Sequence, residues 1–166
     1  MASAALYFLI IDRVIPMDRS EYPEQDELSG VKKRAVPNYQ DPEVCFTAAG
    51  KELGITQLVA SFYHFIDACP EAKNIRAMHP DDLTITKEKL TTFLIGWLGG
   101  PQEYTEKYGS MNLPGAHRHL AIGIEEKQVW LNCMQKALDE QNYDELFKRH
   151  VMVQLSFPAE MCRNQS

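Results

Sequence analysis

The chain contains no CxxC pair, no CxxCH sequence and no GxGxxG run. These absences exclude covalent haem attachment through that motif and any flavin or nicotinamide fingerprint. The four cysteines, Cys45, Cys69, Cys133 and Cys162, are far apart and read as reduced, mostly structural thiols of a cytosolic protein. Basic residues are outnumbered: 17 Lys and Arg stand against 23 Asp and Glu, so the net charge is −6 and a nucleic-acid partner is not expected. The one long apolar run near the start, Ala4 to Ile11, is too short to span a bilayer. It also lacks a preceding basic residue and ends at Asp12-Arg13, so neither export nor a membrane partner is expected, and the location reads as cytoplasmic. Strand-like alternation and internal repeats are missing too. What remains is helical periodicity in 166 residues, 45% of them hydrophobic, which is enough for one domain with one core.

Residues 1–40 differ from the rest. Charges crowd residues 17–41, three prolines (Pro16, Pro23 and Pro37) are spread through the stretch, and no sustained apolar period appears after Met17, which predicts a flexible or loosely docked extension. A helical domain is expected over 41–157, with a C-terminal tail over 158–166. Asp41-Pro42-Glu43 is a helix start, the aspartate as N-cap and the proline at the first helical position. Leu58, Val59, Phe62, Phe65 and Ile66 form one stripe at helix spacing, ended by Pro70. Leu90, Phe93, Leu94, Trp97 and Leu98 form a second, stopped by Gly99-Gly100-Pro101. A short helix is expected from Pro101 to Tyr108, then a loop from Gly109 to Gly115. Val129, Trp130, Cys133, Met134, Ala137 and Leu138 make a third stripe. A last helix is expected to open at Asn142, with Glu145 completing a capping box, and to end before Pro158.

Several polar or aromatic residues interrupt these stripes in a telling order. His117 lies thirteen residues before Trp130, and upstream come Phe62-Tyr63, His79-Pro80 and Trp97-Leu98-Gly99-Gly100-Pro101. A neutral imidazole can ligate iron, and an indole N–H or a phenol can donate to a ligand on the iron's other side. Taken singly, Tyr63 and Trp130 read equally well as core aromatics, His79 as a surface histidine, and Lys89 as a solvated lysine.

From about Ala49 to Leu138 the sequence resembles the group II truncated haemoglobins. The matching segments are AAGKELGITQLVASFY (48–63), PEAKNIRAMHPDDL (70–83), FLIGWLGGPQEYTEKYG (93–109), HRHLAIG (117–123) and WLNCM (130–134). The resemblance implies an all-α fold, the truncated-globin two-over-two helical sandwich, around non-covalent haem b. It implies that His117 is the iron ligand, by its spacing to Gly109 and Trp130; His119 is the rival, because Arg118-His119-Leu120 imitates the family's local sequence. Tyr63, Trp130 and His79 then fall at distal positions, where they can hydrogen-bond a diatomic ligand. Thr86 and Leu90 fall where other globins keep a large polar residue, Phe93 walls the distal edge, and Lys89 faces a haem propionate. The implied ligands are dioxygen, carbon monoxide and nitric oxide. An alternative is a redox enzyme, a nitric-oxide dioxygenase or peroxidase-like, which needs an external reductase; a third reading is a helical interaction module. The protein is expected to be a monomer or a homodimer.

Overall fold

The computed structural model describes residues 36–166. The Ala4–Ile11 run and nearly all of the expected extension lie outside the described residues. Among those described there are eight α-helices and no strand: α1 (Pro42–Ala48), α2 (Lys51–Ala68), α3 (Lys73–Ala77), α4 (Thr84–Trp97), α5 (Tyr104–Tyr108), α6 (Leu113–His117), α7 (Ile124–Glu140) and α8 (Glu145–Cys162). No described helix is long and apolar enough to cross a membrane.

Local chemistry sets these elements. Asp41 caps α1, its Oδ1 accepting from the amides of Glu43 at 2.9 Å and Val44 at 3.4 Å. The apolar stripe of α2 buries Ile55, Leu58, Val59, Phe62 and Ile66, while Phe65 is only half-buried. Each such side chain removed from water is worth about 1.5–3 kcal/mol. This face packs α2 against both α4 and α7, and α7 in turn packs on α8, so two helix pairs lie one over the other. Gly99 ends α4 with φ +97°, where a Cβ would collide with the Pro42 carbonyl, so the end of α4 can dock on the start of α1. The Tyr143 hydroxyl, between α7 and α8, donates to the Ala49 carbonyl at 2.9 Å and ties the two layers together.

Four boundaries differ from the expectation, each for a physical reason. The helix expected from Pro101 starts at Tyr104, because Gln102 is used to cap α4: its Nε2 donates to the Gly96 carbonyl at 2.6 Å. The loop expected through Gly115 gives way to α6 at Leu113. There Asn112 caps the amide of Gly115 at 3.0 Å, and Pro114, lacking an N–H, costs nothing in a first turn. The last helix starts at Glu145, not Asn142, with Asp144 Oδ1 accepting from Leu146 N at 2.8 Å in place of the expected box. That helix also runs through Pro158 to Cys162, and Pro158 is buried within it. An interior proline forfeits one backbone bond; here its ring is packed into the molecule. At the other end, the Tyr39 ring sits 5.1 Å from that of Phe147, so the fold begins slightly before Asp41.

Candidate functional site

A cavity of about 550 Å³ opens between the helix layers, within the size range of small-molecule and cofactor pockets. All eight residues expected at the site line it. Tyr63 comes from α2, His79 from the corner after α3, and Thr86, Lys89, Leu90 and Phe93 from α4; His117 ends α6 and Trp130 stands on α7. His119 does not line the cavity and is exposed. Much of the remaining wall is apolar, including Ile75, Met78, Leu113 and Leu120.

His117 is held by its own short helix. Its Nδ1 lies 2.8 Å from the Leu113 carbonyl, which can only accept, so Nδ1 carries the proton. In its neutral form the ring then has its lone pair on Nε2, the form in which histidine ligates a metal with a fixed tautomer and orientation. The segment is pinned from far along the chain. Asn164 Nδ2 donates to the carbonyls of His117 (3.2 Å) and Leu120 (2.8 Å), while its Oδ1 accepts from Ile122 N at 3.1 Å. Cys162 is another soft ligand on the wall, but burial pushes its thiol up to about 11, so it stays protonated at neutral pH.

The other groups lining the cavity are mostly aromatic, Tyr63 and Phe93 buried, Trp130 and His79 half-buried. Tyr63 is 3% exposed, and burial raises the pKa of its hydroxyl, which therefore remains a donor. The Phe62 ring lies 5.0 Å from both Tyr63 and Trp130 and so spaces the two. His79 stacks edge-on to Tyr63 at 5.7 Å. Its Nδ1 is bonded to the Ile75 carbonyl at 2.8 Å, so in the neutral tautomer Nε2 is an acceptor and not a donor. Phe93 stacks on Trp97 at 5.4 Å. Lys89 lines the cavity edge with its ammonium 5.4 Å from the Tyr108 ring centre, a cation–π contact.

Sequence reasoning missed the contribution of α8. Leu155, Pro158, Ala159 and Cys162 close the cavity's floor, because the helix continues past the proline expected to end it. It also missed Asn164, whose contacts span more than 40 residues and leave no local signal.

The pattern of the bacterial-like globin family matches residues 44–164. The chain belongs to that family. It is 35% identical over 121 residues to the group 2 truncated hemoglobin YjbI of Bacillus subtilis (strain 168), an alignment covering 73% of this chain and 89% of that one. Its fold is similar to the group II 2-on-2 hemoglobin of Agrobacterium tumefaciens, with TM-score 0.70 and 33% identity, covering 74% of this chain and 95% of the other. It is also similar to a truncated oxygen-avid haemoglobin from Bacillus subtilis, with TM-score 0.65 and 33% identity, covering 72% and 98%. The two-over-two arrangement of helix pairs is thus that of the group II truncated haemoglobins. With the family come its cofactor, non-covalent haem b, and haem-based ligand binding. The residues present fit that group: a largely apolar cavity is lined by an imidazole whose Nδ1 is held by a backbone carbonyl and whose Nε2 is left free of the backbone.

Proposed function

We propose that the protein binds dioxygen reversibly, and carbon monoxide and nitric oxide with it, at a haem held by His117. Ferrous haem b supplies the open coordination position at which a diatomic gas binds. This chain's own residues decide how the gas is kept. Tyr63 and Trp130 approach from adjacent helices with one O–H and one N–H, and dioxygen carries more negative charge in its bound state than carbon monoxide does. Hydrogen bonds to a charged acceptor are worth roughly 1.5–3 kcal/mol each. His79 is assigned to the Tyr63 side as an acceptor and orienting ring, since its proton is held by Ile75. Thr86, small, and Leu90, apolar, leave the α4 side of the cavity open to an entering gas. Lys89 is assigned to a haem propionate.

The single observation that carries this reading is the meeting in one cavity of an imidazole oriented through its Nδ1 by a backbone carbonyl with a buried phenol and a half-buried indole. The oxygen-avid character of the Bacillus subtilis relative agrees with it. Slow release follows, because affinity differences reside mostly in off-rates. Slow release suits sensing or scavenging better than bulk transport. A peroxidase-like role is less well served: Tyr63 holds its proton tightly and the His79 proton is committed to a carbonyl, so neither is poised to deliver one. Reduced, haem-loaded protein should shift its absorption bands on exposure to oxygen and return to the ferrous spectrum under argon. Prompt irreversible oxidation would overturn the reading, and catalytic nitrate formation from nitric oxide with a reductase would replace it with the dioxygenase.

A further inference from the structure

Met78, His79 and Pro80 line the cavity, yet they belong to the corner between α3 and α4 and have no regular helix around them. The carbonyls of such a corner must find partners outside a helix ladder. Arg76, in the last turn of α3, supplies two of them. Its Nη1 donates to the Pro80 carbonyl at 3.0 Å and its Nη2 to the Asp81 carbonyl at 3.2 Å. Its Nε donates to Asp67 Oδ1 at 2.5 Å. Asp67 stands on α2, about one turn beyond Tyr63. His79 bonds the Ile75 carbonyl through Nδ1 and meets the Tyr63 ring edge-on at 5.7 Å. The contacts therefore close a circuit. Tyr63's helix holds Asp67, Asp67 holds Arg76, Arg76 holds the corner, and the corner returns His79 to Tyr63.

We propose that Arg76 is a positioning residue of the gas site: anchored by Asp67, it fixes the 79–81 corner so that His79 stays against Tyr63 and shields its hydroxyl from water. This rests on the reading that Tyr63 donates to the bound gas. Arg76 itself does not line the cavity and acts only through its neighbours. An arginine suits the task because a rigid planar fork sends three donors in fixed directions, one to each acceptor. A lysine ammonium on a flexible stem spans them poorly. Folding stability explains the arrangement less well. The Arg76 side chain is 27% exposed and that of Asp67 52%, and an ion pair so open to water adds little. What the fork sets is direction. Without it the carbonyls of Pro80 and Asp81 turn to water, the corner loosens and His79 moves off Tyr63. Water then competes for the single phenolic hydrogen, and oxygen is released sooner.

The test uses the full chain, loaded with haem and reduced. Arg76→Gln should keep its haem and a thermal midpoint near the parent's. Hydrogen exchange read by peptide mass spectrometry should quicken over residues 77–83 and stay unchanged in α7, a readout that involves no gas. The C–O stretch of the carbonmonoxy complex should broaden or split as the corner samples more than one position. Oxygen release should accelerate about five-fold, less than in Tyr63→Phe, with Arg76→Lys between parent and Arg76→Gln. His79→Ala should speed release by a similar factor, and adding Arg76→Gln to it should change little more, because the clamp acts through that ring. The proposal is overturned if exchange at the corner and the C–O stretch of Arg76→Gln match the parent, or if its effect on release persists in full on top of His79→Ala. Unchanged release in Tyr63→Phe would bring down the reading of the gas site and the clamp with it. Faster release in Tyr63→Phe with parent release in Arg76→Gln would bring down the clamp alone.

Discussion

Tyr63 and Trp130 stand on helices of 18 and 17 residues, whereas His117 closes a helix of five. On the Tyr63 side, Phe62, Leu58 and Ile66 are fully buried, and the positions of the donors follow from core packing that no single bond controls. On the His117 side the helix is far too short to be stable alone. It is held by the bond from His117 to Leu113 and by the side chain of Asn164, each bond worth about 0.5–1.5 kcal/mol net. The two walls of one cavity are therefore fixed by different physics. The donor wall is part of the core, and the ligand wall is fastened to it by a few polar contacts from the C-terminal end of the chain. Retention of the cofactor should depend on the second wall, and retention of the gas on the first.

Substitutions can separate the two. The largest effect is expected for His117→Ala, which should lose most of its haem during purification, while His119→Ala, at an exposed position outside the cavity, should keep a near-normal ferrous–carbonmonoxy spectrum. Next come Tyr63→Phe and Trp130→Phe, which should leave haem content intact and speed oxygen release roughly ten-fold to a hundred-fold, each lost bond costing about 1.4 kcal/mol per factor of ten. Carbon monoxide release should respond more weakly, and the double variant should fall short of additive, because neighbouring donors re-aim at one acceptor. Stopped-flow displacement of each gas measures all of these. Asn164→Ala attacks the other wall: haem transfer to an acceptor globin should accelerate by up to about ten-fold, with oxygen release unchanged.

The smallest effect concerns acid. Glu160 is held well below the usual carboxylate range, at about 2, first by Arg163 and then by Lys127, a cavity-wall residue 2.6 Å away. A depressed folded value means that this pairing stabilises above the ordinary carboxylate value, about 4.3, and is lost as pH falls toward 2. Glu160→Gln should therefore release haem slightly faster than the parent at neutral pH, and the difference should shrink as pH falls below about 4 and vanish only near pH 2. The carboxylate is exposed, so the effect should be small, read as the pH midpoint of haem loss.

The donor wall is far more legible in the amino-acid sequence than the ligand wall, and the same contrast explains why. Stripes such as Leu58, Val59, Phe62 and Ile66 announce burial by period alone, and Tyr63 is placed by its position beside them. The start of α6 depends on Asn112 reaching the Gly115 amide, in a stretch whose composition reads as a turn. The course of α8 past Pro158 depends on tertiary packing that outweighs a helix-breaking residue. The direction of the His79 proton depends on which carbonyl lies four residues back once the helix has formed. None of these is a property of a local window. The eight residues assigned from the family likeness all meet in one cavity, but Pro158, Ala159 and Cys162 of its wall and its long-range fastening at Asn164 come from the region expected to be a tail.

The most direct measurement of the central claim is chemical rescue at the ligand position. His117→Gly and His119→Gly proteins, reconstituted with haem and reduced under carbon monoxide, are titrated with imidazole while the absorption spectrum is followed. His117→Gly should have a weak or altered ferrous–carbonmonoxy band that imidazole restores toward the parent spectrum, and His119→Gly should match the parent without it. Restoration by imidazole in His119→Gly, with an undisturbed spectrum in His117→Gly, would contradict the account and move the iron ligand out of the wall described above.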